Sequence, residues 1–398
     1  RQRATQPRSS LLERAQHWGA TLRQTASSER HDTQEKHPSP MVNAPRPAPP
    51  PMLLAAPSRV LDDTGTPRFG LFRGPIADTS FKGLRLSSAG SLRRHLGEKR
   101  WTYVGVYGER VIAAFCIIDL TYLASAFAFT FERLPGAHAH AKEATSRLTE
   151  HHFIAPRFLP AVGDAPSEGH DSFGLPRPKL SIYADGLKRQ VFGTLGHGHR
   201  RLDFDLWIDE SPTDERPPEG LSLVAPQGPG AFGYTYKLAG LPVAGRLQIG
   251  GRELDLTGHR AIVDYTHGLP PRDTHWRWAS AVGHLEGGAR LALNLVSDWN
   301  TTPDPGGENA AWFDGALLPL APVRFEETSE STWHLTSPQL EIAFVGEVQR
   351  KQHVNLGLIS SAYTQPLGHF SGWILDAQGR RHDLVKVYGV IEDHHAHW

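Results

Sequence analysis

The chain has almost no cysteine. Cys116 is the single one in 398 residues, so an internal disulfide bond is impossible, which fits a reducing compartment. Cys116 lies in the apolar run VIAAFCIIDL, a setting that favours a buried, inert thiol over a nucleophile. No apolar run reaches the roughly 18 residues that a membrane-spanning helix needs, and no secretory signal is recognisable. We therefore expect a soluble, cytoplasmic protein without a transmembrane segment.

An excess of charge of either sign is also missing, because 42 Lys and Arg residues balance 42 Asp and Glu residues. Without a basic field, neither nucleic acid nor an anionic membrane is an expected partner. The sequence also lacks the G-x-S-x-G, P-loop, H-E-x-x-H and paired C-x-x-C motifs. We therefore expect neither a nucleotide cofactor nor a bound metal.

The first part of the chain differs in composition from the rest. Residues 1–40 are polar, and residues 41–58, MVNAPRPAPPPMLLAAPS, are dense in proline, which favours extended, unpacked chain. Such a segment buries too little apolar surface to offset the entropy lost on ordering. We predict a disordered, Pro-rich N-terminal extension over residues 1–66, and a chain beginning near Pro57 should fold as well as the full chain.

From about Phe69 the apolar residues alternate with a period of two. The run RLDFDLWID (residues 201–209) illustrates it, with every second residue apolar. Such runs are rich in β-branched and aromatic residues and recur at intervals of roughly 8–15 residues, which is typical of antiparallel barrels or sandwiches. Helical signals are confined to Ser88–Arg100 and, more weakly, to residues 137–152. The sequence predicts a mainly β fold with more than a third of residues 67–398 in strands.

Proline and glycine cluster in residues 217–240, PPEGLSLVAPQGPGAFGYTYKLAG. This cluster separates two β-rich halves of similar length. We predict two antiparallel β-barrel or sandwich domains, over residues 67–230 and 231–398, each large enough to enclose a pocket in a barrel mouth.

Four blocks carry a resemblance to a known family: KRWTYVGVY, IIDLTYLASAFAFTFE, LNLVSDWN…GGENAAWFDGALLPLAPVRFE and GVIEDHHAHW. In this order, from about Leu71 to Trp398, they resemble the bacterial family catalogued as domain of unknown function 2804. More distantly, the strand rhythm and a loop rich in Asp, His and Trp resemble the two-barrel lipocalin-like proteins, a group that includes carotenoid hydratases and tocopherol cyclases. That resemblance implies a tandem lipocalin-like architecture and a pocket for a lipophilic ligand.

The stretch DYTHGLPPRDTHWRWAS, residues 264–280, is the first candidate site. A strand ending at Tyr265, a loop HGLPPRDT and a second strand would place Trp276 and Trp278 on one inward face, where they could stack on a flat ligand. Asp264 and His267 would then lie at the rim, where loops carry function. Because burial in an apolar pocket raises the pKa of a carboxylic acid, Asp264 could donate a proton near neutral pH.

A structural interpretation of the same stretch is also open. Pro270 and Pro271 fix φ and remove two backbone donors, so the loop is stiff and cannot continue a strand ladder. Asp264 and Arg272 could form a salt bridge that pins this loop, with both tryptophans in the core.

The stretch SDWNTTPDPGGENAAWFDG, residues 297–315, is the second candidate. A hairpin here could bring Glu308 and Asn309 towards the Asp264 rim, with Asn294 and Trp312 nearby. A carboxylate and an amide beside tryptophans could orient hydroxyl groups or form an acid–base pair. Alternatively, PGGEN is a turn that is selected for its backbone geometry.

Two histidine-rich motifs could hold a metal. His197 and His199 in GTLGHGHRR have the spacing that places two ligands on one face of a strand, but an exposed turn explains them as well. EDHHAHW at the C-terminus has three histidines and two acids, and the alternative is a polar tail. The positions of Glu392, Asp393 and Trp398 resemble a feature of the family.

Together these patterns predict a protein that binds a lipophilic small molecule in a β-barrel pocket and performs metal-independent acid–base chemistry on it. Hydration, isomerisation or cyclisation would make it a cofactor-independent lyase, hydratase or isomerase. The predicted catalytic residues are Asp264, His267 and Glu308, and the predicted substrate-binding residues are Arg272, Trp276, Trp278, Asn294, Asn309 and Trp312. One alternative is a non-catalytic carrier or sensor of the same ligand, and another is a carbohydrate-active hydrolase with paired carboxylates acting on a glycosidic ligand.

Overall fold

The computed structural model describes residues 53–85, 96–134, 146–174, 179–211, 219–300 and 307–398. Strands make up 67% of the structure, so the predicted mainly β fold is confirmed. In the described part of the chain, the helical residues are Leu96, Gly97 and the single turn Gly198–Arg200. No helix in that part is long and apolar enough to cross a membrane.

The described residues form 23 strands. The first fourteen are β1 (Leu54–Ala55), β2 (Gly70–Arg73), β3 (Lys99–Tyr107), β4 (Val111–Asp119), β5 (Leu123–Arg133), β6 (Ser146–Pro156), β7 (Glu168–Phe173), β8 (Leu180–Asp185), β9 (Lys188–Leu195), β10 (Leu202–Asp209), β11 (Leu221–Gly228), β12 (Ala231–Ile249), β13 (Arg252–Glu253) and β14 (Arg260–Leu269). The other nine are β15 (Asp273–Leu285), β16 (Arg290–Ser297), β17 (Ala310–Phe313), β18 (Ala316–Pro319), β19 (Arg324–Ser329), β20 (Thr332–Ser337), β21 (Leu340–Asn355), β22 (Ser360–Leu375) and β23 (Arg381–His397).

These strands build two curled half-barrel sheets, antiparallel except for the short β1–β2 pair. The first sheet runs in the order β6-β5-β4-β3-β14-β12-β10-β9-β8-β7, with β1, β2, β11 and β13 attached beside this path. The second runs in the order β18-β17-β16-β15-β23-β22-β21-β20-β19. Each sheet therefore consists of one continuous part of the chain.

The passage from the first sheet to the second occurs at Pro270 and Pro271, between β14 and β15. Neither proline has a backbone N–H to donate to a ladder, so the strand cannot continue through them. The prediction that this pair ends the ladder is confirmed. The connection comprises residues 270–272 alone, because β14 runs on to Leu269 and β15 already begins at Asp273.

Apolar side chains form three cores, one inside the curl of each sheet and one between the sheets. The central strands of the first sheet therefore have two buried faces. On β3, Val104 and Val106 pack inside the first sheet, while Tyr103 and Tyr107 pack between the sheets. Strand β10 lies away from that interface and alternates, with Leu202, Phe204, Leu206 and Ile208 buried as predicted.

Two sequence predictions need correction, one about the N-terminal extension and one about a helix. The predicted N-terminal extension lies outside the described residues up to residue 52, but Leu54–Ala55 form β1, and Val60 and Leu61 are fully buried in the first core. The extension therefore ends before residue 66. A chain beginning at Pro57 would lack β1. The weaker helix, residues 137–152, is β6 from Ser146 onward, because tertiary pairing with β5 overrides local propensity.

The predicted division at residue 230 also differs from the division between the sheets. The Pro- and Gly-rich segment around it contains β11 and the start of β12, which pair with each other inside the first sheet. Glycines in this segment permit a turn at Gly230 with positive φ rather than a linker. The predicted helix over Ser88–Arg100 lies mostly outside the described residues, and its last two residues, Lys99 and Arg100, begin β3.

Candidate functional site

A cavity lies between the two sheets. Its volume is about 170 Å³, and its wall is largely aromatic and aliphatic. Because it is bounded by the faces that the sheets turn towards each other, it is not inside either curl. The prediction of a pocket in a barrel mouth is therefore wrong. A continuous apolar run shows that both faces of a strand are buried, but it does not show what covers the second face.

The first sheet contributes one row of side chains to the cavity. Directly paired residues on neighbouring strands lie side by side on the same face of a sheet. Six consecutive strands supply this row, and each member is the direct partner of the next: Lys237, Asp264, Tyr103, Cys116, Phe127 and His152. A buried cation, a carboxyl group, two aromatic rings and an imidazole thus line one wall.

The second sheet contributes the facing row. Trp276, His394, Tyr363 and Gln352 are successive direct partners across β15, β23, β22 and β21. Trp278 and Glu392 form the neighbouring pair on the same face. The prediction that Trp276 and Trp278 share an inward face is confirmed.

Aromatic contacts hold the two rows against each other. The rings of Trp101 and Trp276 stack with centroids 6.2 Å apart, and Tyr103 meets Trp278 edge-on at 5.3 Å. Trp299 also contacts Trp276, in a tilted arrangement with ring centroids 6.1 Å apart. Such geometries stabilise beyond simple area burial, so the wall is rigid where a flat ligand would contact it.

Polar contacts join the sheets at both ends of these rows. At one end, Gln352 hydrogen-bonds the His152 imidazole. Near it, the buried Arg350 forms an ion pair with Glu150 at 2.9 Å and lies over the ring of Phe129 at 4.0 Å. At the other end, Lys237 of the first sheet reaches Glu308, which precedes β17 of the second.

Lys237 is the centre of a buried charge cluster. Its ammonium group forms a close ion pair with Asp264 and lies 3.4 Å from Glu308 Oε2. Burial opposes the positive charge, but Asp264 and Glu308 outweigh it, and the pKa of Lys237 is raised. One cation therefore serves two buried carboxyl groups.

The surroundings of Glu308 in this cluster change its pKa. Burial, together with the nearby charge of Asp264, raises the pKa of Glu308, and the opposing attraction of Lys237 does not cancel the rise. A carboxyl group of this kind can carry a proton at a pH where an exposed one is ionised. Glu308 can therefore hold a proton that it could give to a molecule in the cavity.

The pKa of Glu392, which lines the same cavity, is shifted in the opposite direction. Burial would raise its pKa, but His394, a hydrogen bond from Trp276 and the charge of Arg350 favour the carboxylate, and the pKa is lowered. Trp276 Nε1 donates to Oε1 at 2.9 Å, Gln365 Nε2 donates to Oε2 at 2.7 Å, and His394 Nδ1 lies 3.2 Å from Oε1. Glu392 is therefore held as an anion whose hydrogen-bonding capacity is largely used.

Comparison with known proteins places the sequence in a family. The family model described as domain of unknown function (DUF2804) matches residues 52–398. The chain belongs to the DUF2804 family. No curated protein sequence matches it.

Solved structures resemble this DUF2804 protein at low sequence identity. Kievitone hydratase from Nectria haematococca is 14% identical, with 77% of this chain and 93% of that chain covered and a TM-score of 0.45. A putative AttH protein from Nitrosomonas europaea is 13% identical, with coverages of 77% and 97% and a TM-score of 0.43.

His267 does not reach the cavity of the DUF2804 protein. It is fully buried on the opposite face of β14, where its ring stacks on Phe81 at 3.9 Å and its Nε2 lies 2.8 Å from Glu98. The sequence pattern predicts a loop at this position, but β14 continues to Leu269, so residues 264 and 267 point to opposite faces. The expectation that His267 leans over the cavity is wrong.

Arg272 is also placed differently from both interpretations of its loop. Its guanidinium donates to His397 Nε2 at 2.8 Å and to the Leu358 carbonyl at 2.9 Å, whereas the partner of Asp264 is Lys237. The proposed Asp264–Arg272 salt bridge is therefore absent among the described contacts. Arg272 lies beside the rim and fixes residues that line it.

The second candidate stretch behaves in part as predicted. Its hairpin brings Glu308 to the Asp264 cluster, but Asn309 bonds the backbone N–H and carbonyl of Val296. Asn294 accepts from Trp278 Nε1 at 2.9 Å and donates to the Glu308 carbonyl at 2.8 Å. Both amides are structural supports of the site. Trp312 is buried in the core between the sheets and does not line the cavity.

Several residues that complete the site were not predicted from the sequence. Lys237 is the one with a usable signal, because a lysine within the aromatic and apolar run YTYKLAG implies a buried cation that needs acidic partners. Tyr103, Phe127 and His152 gave no such signal, since their strands read as ordinary core. His197 and His199 lie exposed at the Gly198–Arg200 turn rather than in a strand, so the exposed turn, and not a pair of ligands on one strand face, is confirmed for this motif.

Proposed function

We propose that this DUF2804 protein binds a lipophilic small molecule between its two sheets and moves a proton on that molecule with Glu308. The observation that carries the proposal is the pair of buried carboxyl groups with opposite pKa shifts in one aromatic cavity. When the surroundings shift the pKa values of two titratable groups in opposite directions, one site can provide both an acid and a base.

The ligand class follows from the wall and the rim. Trp101, Trp276, Trp278 and Phe127 present flat apolar surfaces to the cavity, which suits a planar or polyene-like molecule. At the rim Leu356 is 54% exposed, so an apolar ligand meets apolar side chains before it enters. The few polar groups inside would orient one functional group of the ligand.

The chemistry proposed is proton transfer without a nucleotide. Protonated Glu308 gives its proton to a carbon atom of the ligand, and the carboxylate that forms is paired at once with Lys237. In an isomerisation the ligand returns a different proton to Glu308; in a hydration, water supplies the hydroxyl group and the returning proton. Asp264 keeps the proton on Glu308 beforehand, because its negative charge disfavours a second anion nearby.

The test begins with identification of the ligand. Mass spectrometry of the full chain purified under mild conditions should find a lipophilic molecule, and incubation of that molecule with fresh protein should give a product of altered structure. Glu308→Gln should keep the ligand and lose the conversion. Glu326→Gln, an exposed glutamate of β19, is the matched control and should convert the ligand normally.

Two outcomes would overturn the enzymatic proposal. If the wild-type protein returns its ligand unchanged, the chain is a carrier or sensor of that molecule. If Glu308→Gln converts the ligand as fast as the wild type does, Glu308 is only a structural partner of Lys237.

A further inference from the structure

A cluster of metal-ligating side chains lies outside the cavity, on the other face of the second sheet. Alternation along β15 and β23 turns Trp276, Glu392 and His394 towards the cavity. The intervening residues His275, Asp393 and His395 therefore lie on the face that curls inward. His275 and His395 are direct cross-strand partners, and Asp393 is two residues before His395 on the same face.

The distances within this group match those of metal ligands. His275 Nε2 lies 3.1 Å and His395 Nε2 lies 3.5 Å from the same oxygen, Asp393 Oδ1. The ligating atoms of all three lie within 4.8 Å of one another. Two donors bound tetrahedrally to one ion at about 2.0–2.1 Å are roughly 3.3 Å apart, so little movement is needed to place an ion among them.

The second oxygen of Asp393 is held by a different partner. Arg277 Nε donates to Asp393 Oδ2 at 2.9 Å, and Arg277 is itself paired with Asp298 at 3.2 Å. Oδ1 is thereby left facing the two imidazoles. Carboxylate ligands that are oriented by an outer partner in this way bind metals more tightly, and Asp298 offsets the positive charge that Arg277 brings to the site.

The site has room for an ion and for exchange with solvent. The side chain of His395 is 67% exposed and that of Asp393 is 21% exposed. The rings of His275 and His395 stack at 3.9 Å, so their ligating nitrogens lie side by side next to the Asp393 carboxylate.

We propose that His275, Asp393 and His395 bind a divalent transition-metal ion of the zinc type. Two imidazoles and one carboxylate are the donor set that suits Zn²⁺, Co²⁺ or Fe²⁺ rather than Ca²⁺ or Mg²⁺. A second group of potential ligands is not proposed as a metal site. It consists of Glu98, Asp164 and His267. There the guanidinium of Arg100 already contacts all three residues, and so occupies the position of the cation.

The experiment uses the full chain without a histidine tag, stripped with a chelator. Zn²⁺ binding is measured by calorimetry, and Co²⁺ binding by its visible absorption, which reports coordination geometry. We expect one site that is tighter than the background from the other histidines. His395→Ala should weaken Zn²⁺ binding by about tenfold or more, and Arg277→Gln, which removes only the outer partner, by about tenfold.

The control is His284→Ala, an exposed histidine further along β15. It should leave both the affinity and the Co²⁺ spectrum unchanged. Melting curves of all variants without metal show whether each still folds. The proposal is overturned if His395→Ala and His284→Ala bind Zn²⁺ equally well, or if no site rises above background. In that case the two histidines serve only as hydrogen-bond partners of Asp393.

Discussion

Lys237 and Asp264 are direct partners on the adjacent strands β12 and β14, and their buried side chains form an ion pair that faces the cavity. The pair places a full positive and a full negative charge where water is scarce. Such a pair is tolerated only when both members are present, because a single buried charge is costly. Glu308 completes the group from the second sheet, so the cluster also links the two sheets.

Removal of the cation should therefore destabilise the protein. Lys237→Met leaves the buried Asp264 without a counter-charge, and we expect a loss of about 3–5 kcal/mol in the free energy of unfolding. Urea denaturation measures it. Lys351→Met, at an exposed lysine paired with Glu330, is the control and should leave the midpoint unchanged. An equal midpoint for Lys237→Met and the wild type would show that the cluster does not stabilise the fold.

The raised pKa of Glu308 predicts a dependence of stability on pH. A carboxyl group whose pKa is higher in the folded than in the unfolded chain binds more protons when folded, so its contribution falls as pH rises above about 4.5, the ordinary value. Glu308→Gln cannot lose a proton. The stability of this variant relative to the wild type should therefore increase with pH above that value and then level off.

Urea denaturation at a series of pH values measures this difference. Glu326→Gln, at an exposed glutamate of β19, is measured alongside as the control for a Glu-to-Gln change on the surface. A Glu308→Gln curve parallel to the wild-type curve at every pH would mean that Glu308 titrates like an exposed group.

The aromatic wall should dominate the affinity for apolar molecules. Trp276→Ala removes the ring that stacks on Trp101 and contacts Trp299, and we expect binding of an apolar fluorescent probe to weaken at least tenfold, which corresponds to about 1.4 kcal/mol. Trp207→Ala, at an exposed tryptophan of β10, should leave probe binding unchanged. Equal binding by both variants would place the probe outside the cavity.

Trp278 should affect stability as well as binding. Its ring is 6% exposed and its Nε1 donates to Asn294, so Trp278→Ala should lower the free energy of unfolding by about 3–5 kcal/mol. Trp278→Phe keeps most of the ring and should cost less. The two variants are compared by urea denaturation, and equal costs would show that the bond to Asn294, rather than packing, is what matters.

The sequence predicted local structure better than it predicted the site. Alternation identified the strands around Trp101 and Leu202 and the shared face of Trp276 and Trp278, because the period of two is a local property. It could not show that Lys237 faces Asp264, since their strands are joined by residues 250–259 and their register depends on tertiary pairing. His267 was misplaced for a related reason, because the length of β14 depends on its pairing with β3 and β12.

The role expected of Asp264 changes for the same reason. As a rim residue, Asp264 would be the proton donor and its loss would barely affect stability. Buried beside Lys237, it is a charged partner, and Asp264→Asn should destabilise the protein and also lower the pKa of Glu308, because the raising influence of Asp264 is removed. The Asp264 carboxyl group is thus expected to set the protonation of its neighbour.

Proton transfer from Glu308 to the ligand in the cavity between the sheets can be followed in D₂O. The wild-type protein is incubated there with the molecule identified in its cavity, and the mass of the recovered molecule is measured. We expect carbon-bound deuterium in the presence of the wild type and of Glu326→Gln, and none with Glu308→Gln. Recovery of the molecule without deuterium from the wild type, or with equal deuterium from Glu308→Gln, would contradict it.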